Sequence, residues 1–304
     1  MVKIAYAPIY CHPLPEGHRF PMLKYELIPE QLIYEGSINE SMIHVPSKMT
    51  DEDILRVHDF SYWEKLKNLS LDKNEIRKTG FPLSEQLVER EAIIMQGTLD
   101  MALHALEHGC GLNVAGGTHH AYSDRGEGFC LLNDMAIAAQ YLLDKNLVQR
   151  VMIIDCDVHQ GNGTASIFEN ESRVFTFSMH GEHNYPLHKE KSDRDIPLPD
   201  KIQDAEYLDL LEKNLSEIIP SFQPQFIFYQ CGVDILASDK LGRLGVSLEA
   251  CKQRDELVFS FCKKYNIPVC CAMGGGYSED IKIIVEAHCN TFRLAIEFWE
   301  ESKS

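Results

Sequence analysis

Short runs of apolar and β-branched residues alternate along the chain with longer stretches in which apolar residues recur at helical spacing. Leu208, Leu211 and Leu215, for example, return every three or four residues, which is the period of an α-helix. Such alternation predicts a parallel sheet with helices on both faces. The strands are expected at 2–7, 112–115, 151–155, 173–178, 225–231 and 268–273. The helices are expected at Ser84–Glu107, Asn133–Lys145, Ala205–Ile219, Ser247–Tyr265 and Glu279–Trp299.

The same pattern predicts a single domain. It shows no internal repeat, no low-complexity tract and no linker rich in Gly, Ser and Pro, so residues 1–304 are expected to form one α/β unit. The segment Met179–Ile202 is rich in His, Lys, Asp and Pro and predicts a long surface loop. Long loops of this kind often carry function.

Composition narrows the class of protein. Acidic residues outnumber basic ones by 46 to 29, a net charge of −17, which argues against direct nucleic-acid binding because that binding depends on Lys and Arg. No stretch is apolar and long enough to span a membrane, and the start lacks the core of a signal peptide. The ten cysteines form no CxxC pair, as expected of reduced thiols in a cytoplasmic protein. The oligomeric state is not indicated.

Polar residues that can do chemistry follow four of the predicted strands directly. The carboxyl ends of parallel strands meet at one edge of a sheet, and that edge is where ligands bind. The four segments are GGTHHAYSDRGEGFC (116–130), DCDVHQGNG (155–163), CGVDILASDKLG (231–242) and GGGYS (274–278).

The second segment indicates a metal site. If the strand continues to residue 159, then Asp155, Asp157 and His159 share one face. Two carboxylates and an imidazole crowded together call for a cation between them, and their oxygen and nitrogen atoms suit zinc, iron or manganese. Asp234 would complete a three-ligand centre with an open position, which is typical of a catalytic metal. In the alternative interpretation, Asp155 and Asp157 only cap a following helix.

Two further segments supply candidate acid, base and oxyanion groups. His119 and His120 suit general acid–base catalysis, although an HH pair alone is more often exposed or ligating without a catalytic role. Tyr277, behind three glycines, could donate to an oxyanion, whereas GGGY alone also fits a phosphate loop or an ordinary loop tyrosine. The chain has no G-x-S-x-G elbow and no cysteine in an evident electropositive context, so serine and cysteine hydrolases are disfavoured.

Taken in order, GGTHHA, GFCLLND, DCDVHQGNG, CGVDILASDKLG and GGGY resemble the zinc-dependent histone deacetylase family. The resemblance covers Met1 to Ala295, and SDRGEGFC, HQGNG and DILASDKLGRLGVS are most similar to the class IV branch and its bacterial relatives. It implies the arginase/deacetylase fold, a single α/β domain with an eight-stranded parallel sheet and helices on both faces. It also implies hydrolysis of the acyl amide of N6-acyl-lysine in proteins or peptides.

The resemblance implies a role for each matching residue. The zinc ligands would be Asp157, His159 and Asp234. The catalytic groups would be His119 and His120 beside the metal, Tyr277 polarising the carbonyl, and Asp155 orienting His119. A structural potassium ion would lie against Asp155, Ser178 and the carbonyls of Asp157, His159 and Met179. The acyl-lysine tunnel would be formed by Gly128, Phe129, Tyr185, Leu241 and Gly275.

One position departs from the family pattern. Asn162 stands where many members carry a second aspartate behind the second histidine. A neutral amide stabilises an imidazolium less than a carboxylate does, so we expect His120 to keep a low pKa and to act as the base. Arg19, in GHRFP, is expected near the foot of the tunnel, and Cys130 is expected to pack near the active site.

Three alternatives remain open at the sequence level. The first is an amidohydrolase for acetylpolyamines or other small amides, although Leu241 at the gate favours an uncharged stem. The second is an arginase-like enzyme with two manganese ions, which would need further aspartate and histidine ligands. The third is a non-catalytic acyl-lysine-binding module. The length of the acyl group is also open. The resemblance to class IV suggests activity on long-chain acyl-lysine, which would need an apolar cavity beyond the metal.

Overall fold

The structure, a computed structural model, describes residues 1–300. Its strands are β1 (Lys3–Ala5), β2 (Ile43–His44), β3 (Cys110–Asn113), β4 (Val151–Asp155), β5 (Val174–Gly181), β6 (Arg194–Leu198), β7 (Phe226–Gln230) and β8 (Val269–Ala272). The first five helices are α1 (Lys24–Tyr34), α2 (Asp51–Ile54), α3 (Phe60–Lys67), α4 (Lys73–Thr79) and α5 (Glu85–His108). The remaining helices are α6 (Asp134–Asp144), α7 (Asn162–Phe168), α8 (Asp204–Phe222), α9 (Leu248–Tyr265) and α10 (Ile281–Glu300).

The eight strands form one parallel sheet in the order β2-β1-β3-β8-β7-β4-β5-β6. Helices cover both faces. Cys270 of β8 points at the carbonyl of Thr98 in α5, whereas Tyr229 of β7 donates to Asp255 of α9. Tyr229 pairs in register with Cys271, the neighbour of Cys270, and successive strand residues face opposite ways. Helices α5 and α9 therefore lie on opposite sides of the sheet, as the sequence predicted.

Local signals in the sequence account for where the long helices begin. Ser84, Asn133 and Ser247 each accept a hydrogen bond from the backbone N–H three residues ahead, at the starts of α5, α6 and α9. These caps satisfy N–H groups that have no partner inside the helix. Helix α5 ends at Gly109, whose left-handed φ of 92° closes the last turn.

The prediction of a surface loop over Met179–Ile202 is wrong in part. Strand β5 continues through Gly181, and the edge strand β6 at Arg194–Leu198 pairs with it. Met179 and His180 are buried within the sheet. The polar sequence hid β6 because an edge strand is covered on one side only, so it lacks the apolar run that marks an inner strand.

Ordinary features of the chain agree with this architecture. Nine of the ten cysteines are buried and, within residues 1–300, none forms a disulfide. In the same part of the chain no helix combines the length and the hydropathy needed to cross a bilayer.

Candidate active site

Two aspartate turns, rather than a continued strand, bring the residues after β4 together. The strand ends at Asp155, so the prediction that it persists to residue 159 is wrong. Instead, Asp155 Oδ1 accepts the N–H of Asp157 at 3.1 Å, and Asp157 Oδ1 accepts the N–H of His159 at 2.9 Å. Neither aspartate caps helix α7, whose N-cap residue is Gly161. The capping alternative is therefore wrong, although both carboxylates do accept backbone hydrogen bonds.

These turns place Asp157 and His159 beside Asp234, which follows β7. The three side chains offer ligand atoms that all lie within 4.8 Å of one another. His159 Nδ1 lies 3.1 Å from Asp157 Oδ1 and 3.1 Å from Asp234 Oδ2. The other Asp234 oxygen, Oδ1, accepts the N–H of Val158 at 2.9 Å, which fixes the carboxylate. The set is two buried carboxylates and an imidazole around one point.

Burial and the close approach of these three side chains shift the pKa values of Asp234 and His159. Burial and the neighbouring Asp157 raise the pKa of Asp234 to about 7. Burial alone would lower the pKa of His159, but its hydrogen bonds to Asp157 and Asp234 raise it to about 10. At neutral pH His159 therefore carries a positive charge between the two carboxylates.

Two glycines leave room for the carboxylates. A Cβ at Gly275 would lie 1.9 Å from Asp234 Oδ2, and one at Gly232 would lie 2.2 Å from Asp157 Oδ2. Both distances are impossible, so only glycine fits. The N–H of Gly275 also donates to Asp157 Oδ2 at 2.8 Å. Gly275, predicted to bind substrate, has its N–H committed to a candidate ligand.

The adjacent histidines converge, with ring centroids 4.1 Å apart, but they have different partners. His119 Nδ1 lies 2.6 Å from Asp155 Oδ2, and His120 Nδ1 lies 2.6 Å from Asn162 Oδ1. Burial would lower the pKa of His119, yet the Asp155 and Asp157 carboxylates raise it to about 9. Burial and the neighbouring imidazoles hold the pKa of His120 well below 6.5. The pair therefore combines a charged and a neutral imidazole.

A hydrogen-bonded chain that sequence reasoning missed fixes the neutral histidine. Asn162 Nδ2 donates to the hydroxyl of Tyr122 at 2.9 Å, and that hydroxyl donates to Glu190 Oε1 at 3.0 Å. Because Glu190 takes the phenolic hydrogen, the Tyr122 oxygen accepts from Asn162, and Asn162 Oδ1 must face His120. An amide oxygen accepts only, so His120 carries its proton on Nδ1 and leaves Nε2 free.

Tyr277 is held by an aspartate that the sequence did not single out. Its backbone N–H donates to Asp239 Oδ2 at 2.6 Å, and Asp239 Oδ1 accepts the N–H groups of Leu241 and Gly242. Within residues 1–300 no side chain or carbonyl accepts a hydrogen bond from the Tyr277 hydroxyl. Burial, followed by Asp234 and Asp157, raises the pKa of that hydroxyl well above 10, so it stays a donor.

A cavity of about 360 Å³ leads from the surface to these groups. Its base includes His120, His159 and Tyr277, and its sides include the predicted tunnel residues Gly128, Phe129, Tyr185 and Leu241. The Tyr185 hydroxyl donates to Glu127 at 2.8 Å. Below the base lies a second pocket of about 40 Å³, which we call the foot pocket; Phe20, Tyr25, Cys130 and Gly275 contribute to its lining.

The prediction that Arg19 lies near the foot of the tunnel is wrong. It lines the outer cavity instead of the foot, and its guanidinium lies 5.0 Å from the centre of the Phe129 ring. The chain around it explains the difference. Its neighbour Phe20 turns inward and is buried, so Arg19 turns outward to solvent.

The potassium site stays a prediction. Asp155 and Ser178 lie side by side, because they pair in register between β4 and β5. Both side chains already have partners, since Asp155 bonds His119 and the Ser178 hydroxyl lies 2.9 Å from His180 Nδ1. Met179 is buried next to Ser178.

Fold and site together define the class: a parallel α/β protein whose carboxyl edge carries a candidate metal centre next to paired histidines. Comparison with known proteins then gives the family. The histone deacetylase domain matches residues 18–292, which is most of the chain. The chain belongs to the histone deacetylase family.

Individual relatives agree with this assignment. An uncharacterised protein of Picosynechococcus sp. is 40% identical over 292 residues, covering 96% of this chain and 97% of the relative. Histone deacetylase 2 of Arabidopsis thaliana is 31% identical over 290 residues, covering 92% of this chain and 75% of the relative. A solved HDAC homologue complexed with SAHA superposes with a TM-score of 0.83 at 25% identity, covering 98% of this chain and 83% of that one. Family membership supports hydrolytic deacetylase activity.

Proposed function

We propose that this protein is a zinc-dependent hydrolase of the acyl amide of N6-acyl-lysine in proteins or peptides. One observation carries the proposal: His159 of the Asp157–His159–Asp234 trio lines the base of the same cavity as His120 and Tyr277, so the candidate metal centre adjoins both groups. An acylated lysine is a long, uncharged stem that ends in an amide. A deep cavity with apolar and aromatic sides and a polar base suits that shape.

The donor set fits zinc. Two carboxylates and one imidazole are standard zinc ligands, three protein ligands leave a position open, and all three are buried. A zinc ion bound there would polarise the amide carbonyl and lower the pKa of a water molecule. The raised pKa of Asp234 is as expected of a cation-binding site. Burial makes the ionised carboxylate unfavourable until a cation compensates its negative charge.

The remaining residues divide the proton transfers. His120 Nε2 is unprotonated and accepts a proton from the attacking water, and it then returns a proton to the leaving lysine amine. His119, held as an imidazolium by Asp155, supplies fixed positive charge beside the reaction. The Tyr277 hydroxyl donates a hydrogen bond to the oxyanion that forms when the carbonyl is attacked.

The foot pocket supports a short acyl group. Its volume of about 40 Å³ is small beside the about 360 Å³ of the outer cavity. The space suits the methyl of an acetyl group, whereas a fatty chain would have to displace large side chains such as Phe20 and Tyr25. We therefore propose acetyl-lysine, ahead of long-chain acyl-lysine, as the preferred substrate.

A panel of acyl-lysine peptides, acetyl to myristoyl, tests the activity and the acyl length together. The zinc-loaded protein should hydrolyse acetyl-lysine, a chelator should stop turnover, and added zinc should restore it. The myristoyl peptide should react more slowly by about tenfold or more, because forcing bulk into a filled site is costly. Turnover that is unaffected by chelation would contradict the zinc centre, and a preference for myristoyl would contradict the acyl assignment.

The lining of the outer cavity disfavours the acetylpolyamine alternative. None of the thirteen residues that line it in the described part of the chain is an aspartate or a glutamate, whereas a polyamine needs carboxylates to hold its charges. An arginase-like centre is also disfavoured, because within residues 1–300 the Asp157–His159–Asp234 trio is the one group of metal-ligating side chains found.

Replacing Asn162 with aspartate should raise the pKa of His120, because a carboxylate would then face Nδ1 at about the present 2.6 Å. A base with a higher pKa stays protonated, and therefore inactive, up to a higher pH. The acidic limb of the kcat/KM pH profile should therefore move up by about one unit or more. Tyr122→Phe is the control, since it disturbs the same chain without adding charge. An acidic limb that does not move in Asn162→Asp would show that the amide does not set the pKa of His120.

A further inference from the structure

The outer part of the active-site cavity carries a concentration of positive charge. Arg19, Lys78 and Arg243 line it, together with His183, and we call these four residues the cationic rim. The chain as a whole has 46 acidic and 29 basic residues, yet among residues 1–300 no carboxylate lines this cavity. The charge at the mouth is thus opposite in sign to the charge of the whole molecule.

The charges of the rim are little neutralised by neighbouring side chains. Within residues 1–300, neither Arg19 nor Lys78 has a carboxylate oxygen within 4.0 Å of its charged nitrogens. Arg243 and His183 share Asp200, at 3.6 Å and 3.2 Å. Of the three permanent positive charges, only that of Arg243 has a carboxylate oxygen within 4.0 Å among residues 1–300.

Each of the three permanently charged residues lies next to a residue of the tunnel wall. Arg19 lies over the ring of Phe129. The carbonyl of Lys78 accepts the N–H of Gly128 at 3.0 Å. Arg243 follows Leu241 by two residues, in the loop after β7. The rim residues are therefore held next to the groups that would surround an acyl-lysine stem, and the side chains of Arg19, Lys78 and Arg243 are exposed there.

We propose that the cationic rim selects acyl-lysine substrates with acidic residues next to the acylated lysine. This inference rests on the proposed function, since it places the acyl-lysine in the cavity. Acylation removes the charge of the lysine itself, so flanking residues supply the charge that meets the rim. Opposite charges on enzyme and substrate speed their encounter, whereas like charges disfavour it. Salt screens both effects. Lysine-rich segments and acetylated polyamines would both be repelled.

Three acetyl-lysine peptides of equal length test the proposal on the zinc-loaded protein. Their flanking positions carry Asp and Glu, Asn and Gln, or Lys and Arg. The kcat/KM values should fall in that order, by about tenfold from first to last, as expected of a few exposed ion pairs acting together. The spread should shrink in high salt.

Variants then assign the preference to the rim. In the double variant Lys78→Gln with Arg243→Gln, the ratio of kcat/KM for the acidic and neutral peptides should fall towards one. Lys145→Gln is the matched control: Lys145 is exposed at the end of α6, which leads into the amino end of β4, at the edge of the sheet opposite the cavity. It should keep the wild-type ratio.

The outcomes separate the inference from the proposed function. Turnover of the neutral peptide with no preference for the acidic one, or with a preference for the basic one, overturns the rim proposal and leaves the deacylase proposal standing. A preference that survives in the double variant also overturns it. If the zinc-loaded protein turns over none of the three peptides, both proposals fail.

Discussion

Replacing Asp234 with asparagine should remove the bound metal and reduce turnover of an acetyl-lysine peptide by more than about 10³-fold. An amide is a poor ligand compared with a carboxylate, and even the partners behind a metal ligand contribute 10–100-fold to affinity or activity. Metal content measured on the purified variant, beside peptide turnover, checks both parts. Full zinc content with normal turnover would show that Asp234 is not a ligand.

The same variant should affect stability less when metal is removed. The pKa of Asp234, raised from 3.8 to about 7 by burial and by Asp157, means that the folded state favours its protonated form. That stabilisation is full below about pH 4 and is lost as the pH rises through 7. At pH 8 the ionised carboxylate therefore costs stability in the metal-free protein, and asparagine avoids that cost. The variant should therefore lose less in unfolding temperature with chelator than it loses with zinc.

Asp204→Asn is the control for that comparison. Asp204 is a partly buried aspartate that accepts hydrogen bonds from the backbone and the hydroxyl of Ser247, away from the metal centre. Its replacement is the same chemical change. It should alter the unfolding temperature by the same amount with and without chelator, and turnover should persist. A metal-independent effect at Asp234 as well would indicate a purely structural role for that carboxylate.

The long elements were predictable because they carry strong local signals. Helix α5 has apolar residues at helical spacing, a serine cap and a closing glycine, and its prediction at 84–107 lies within one residue of Glu85–His108. The short strands carry no such signal. Strand β2 has two residues, too few to show a period, and β6 reads as polar because it is an edge. Both depend on a neighbouring strand to form.

The candidate site was predictable where chemistry is concentrated in a short segment, and not where it is assembled across the chain. Asp157 and His159 stand together in the sequence. By contrast, Lys24 of α1 is fully buried and donates to the carbonyl of Gly274 at 3.0 Å, 250 residues away. Glu190 reaches His120 only through Tyr122 and Asn162. The cationic rim likewise collects residues from four separate segments, so no basic run reveals it.

Replacing Tyr277 with phenylalanine should lower kcat by about 10²–10³-fold, the usual cost of losing one oxyanion donor. The KM and the zinc content should change little, because no group within residues 1–300 accepts a hydrogen bond from the hydroxyl and the ring stays in place against Phe129. Turnover and peptide binding, measured by fluorescence anisotropy, separate the two effects. A protein that only binds acyl-lysine would lose nothing.

Tyr185→Phe is the matched control, since it also removes a phenolic hydroxyl, but from the side of the cavity. That hydroxyl already donates to Glu127, and the ring packs edge-on against His120, with centroids 5.0 Å apart. Its loss should therefore cost little in kcat. Equal losses in the two variants would mean that the hydroxyl of Tyr277 acts through packing or hydration. A selective loss at Tyr277 would tie turnover to a donor aimed at the reacting carbonyl, because the two tyrosines differ chiefly in whether the hydroxyl is free.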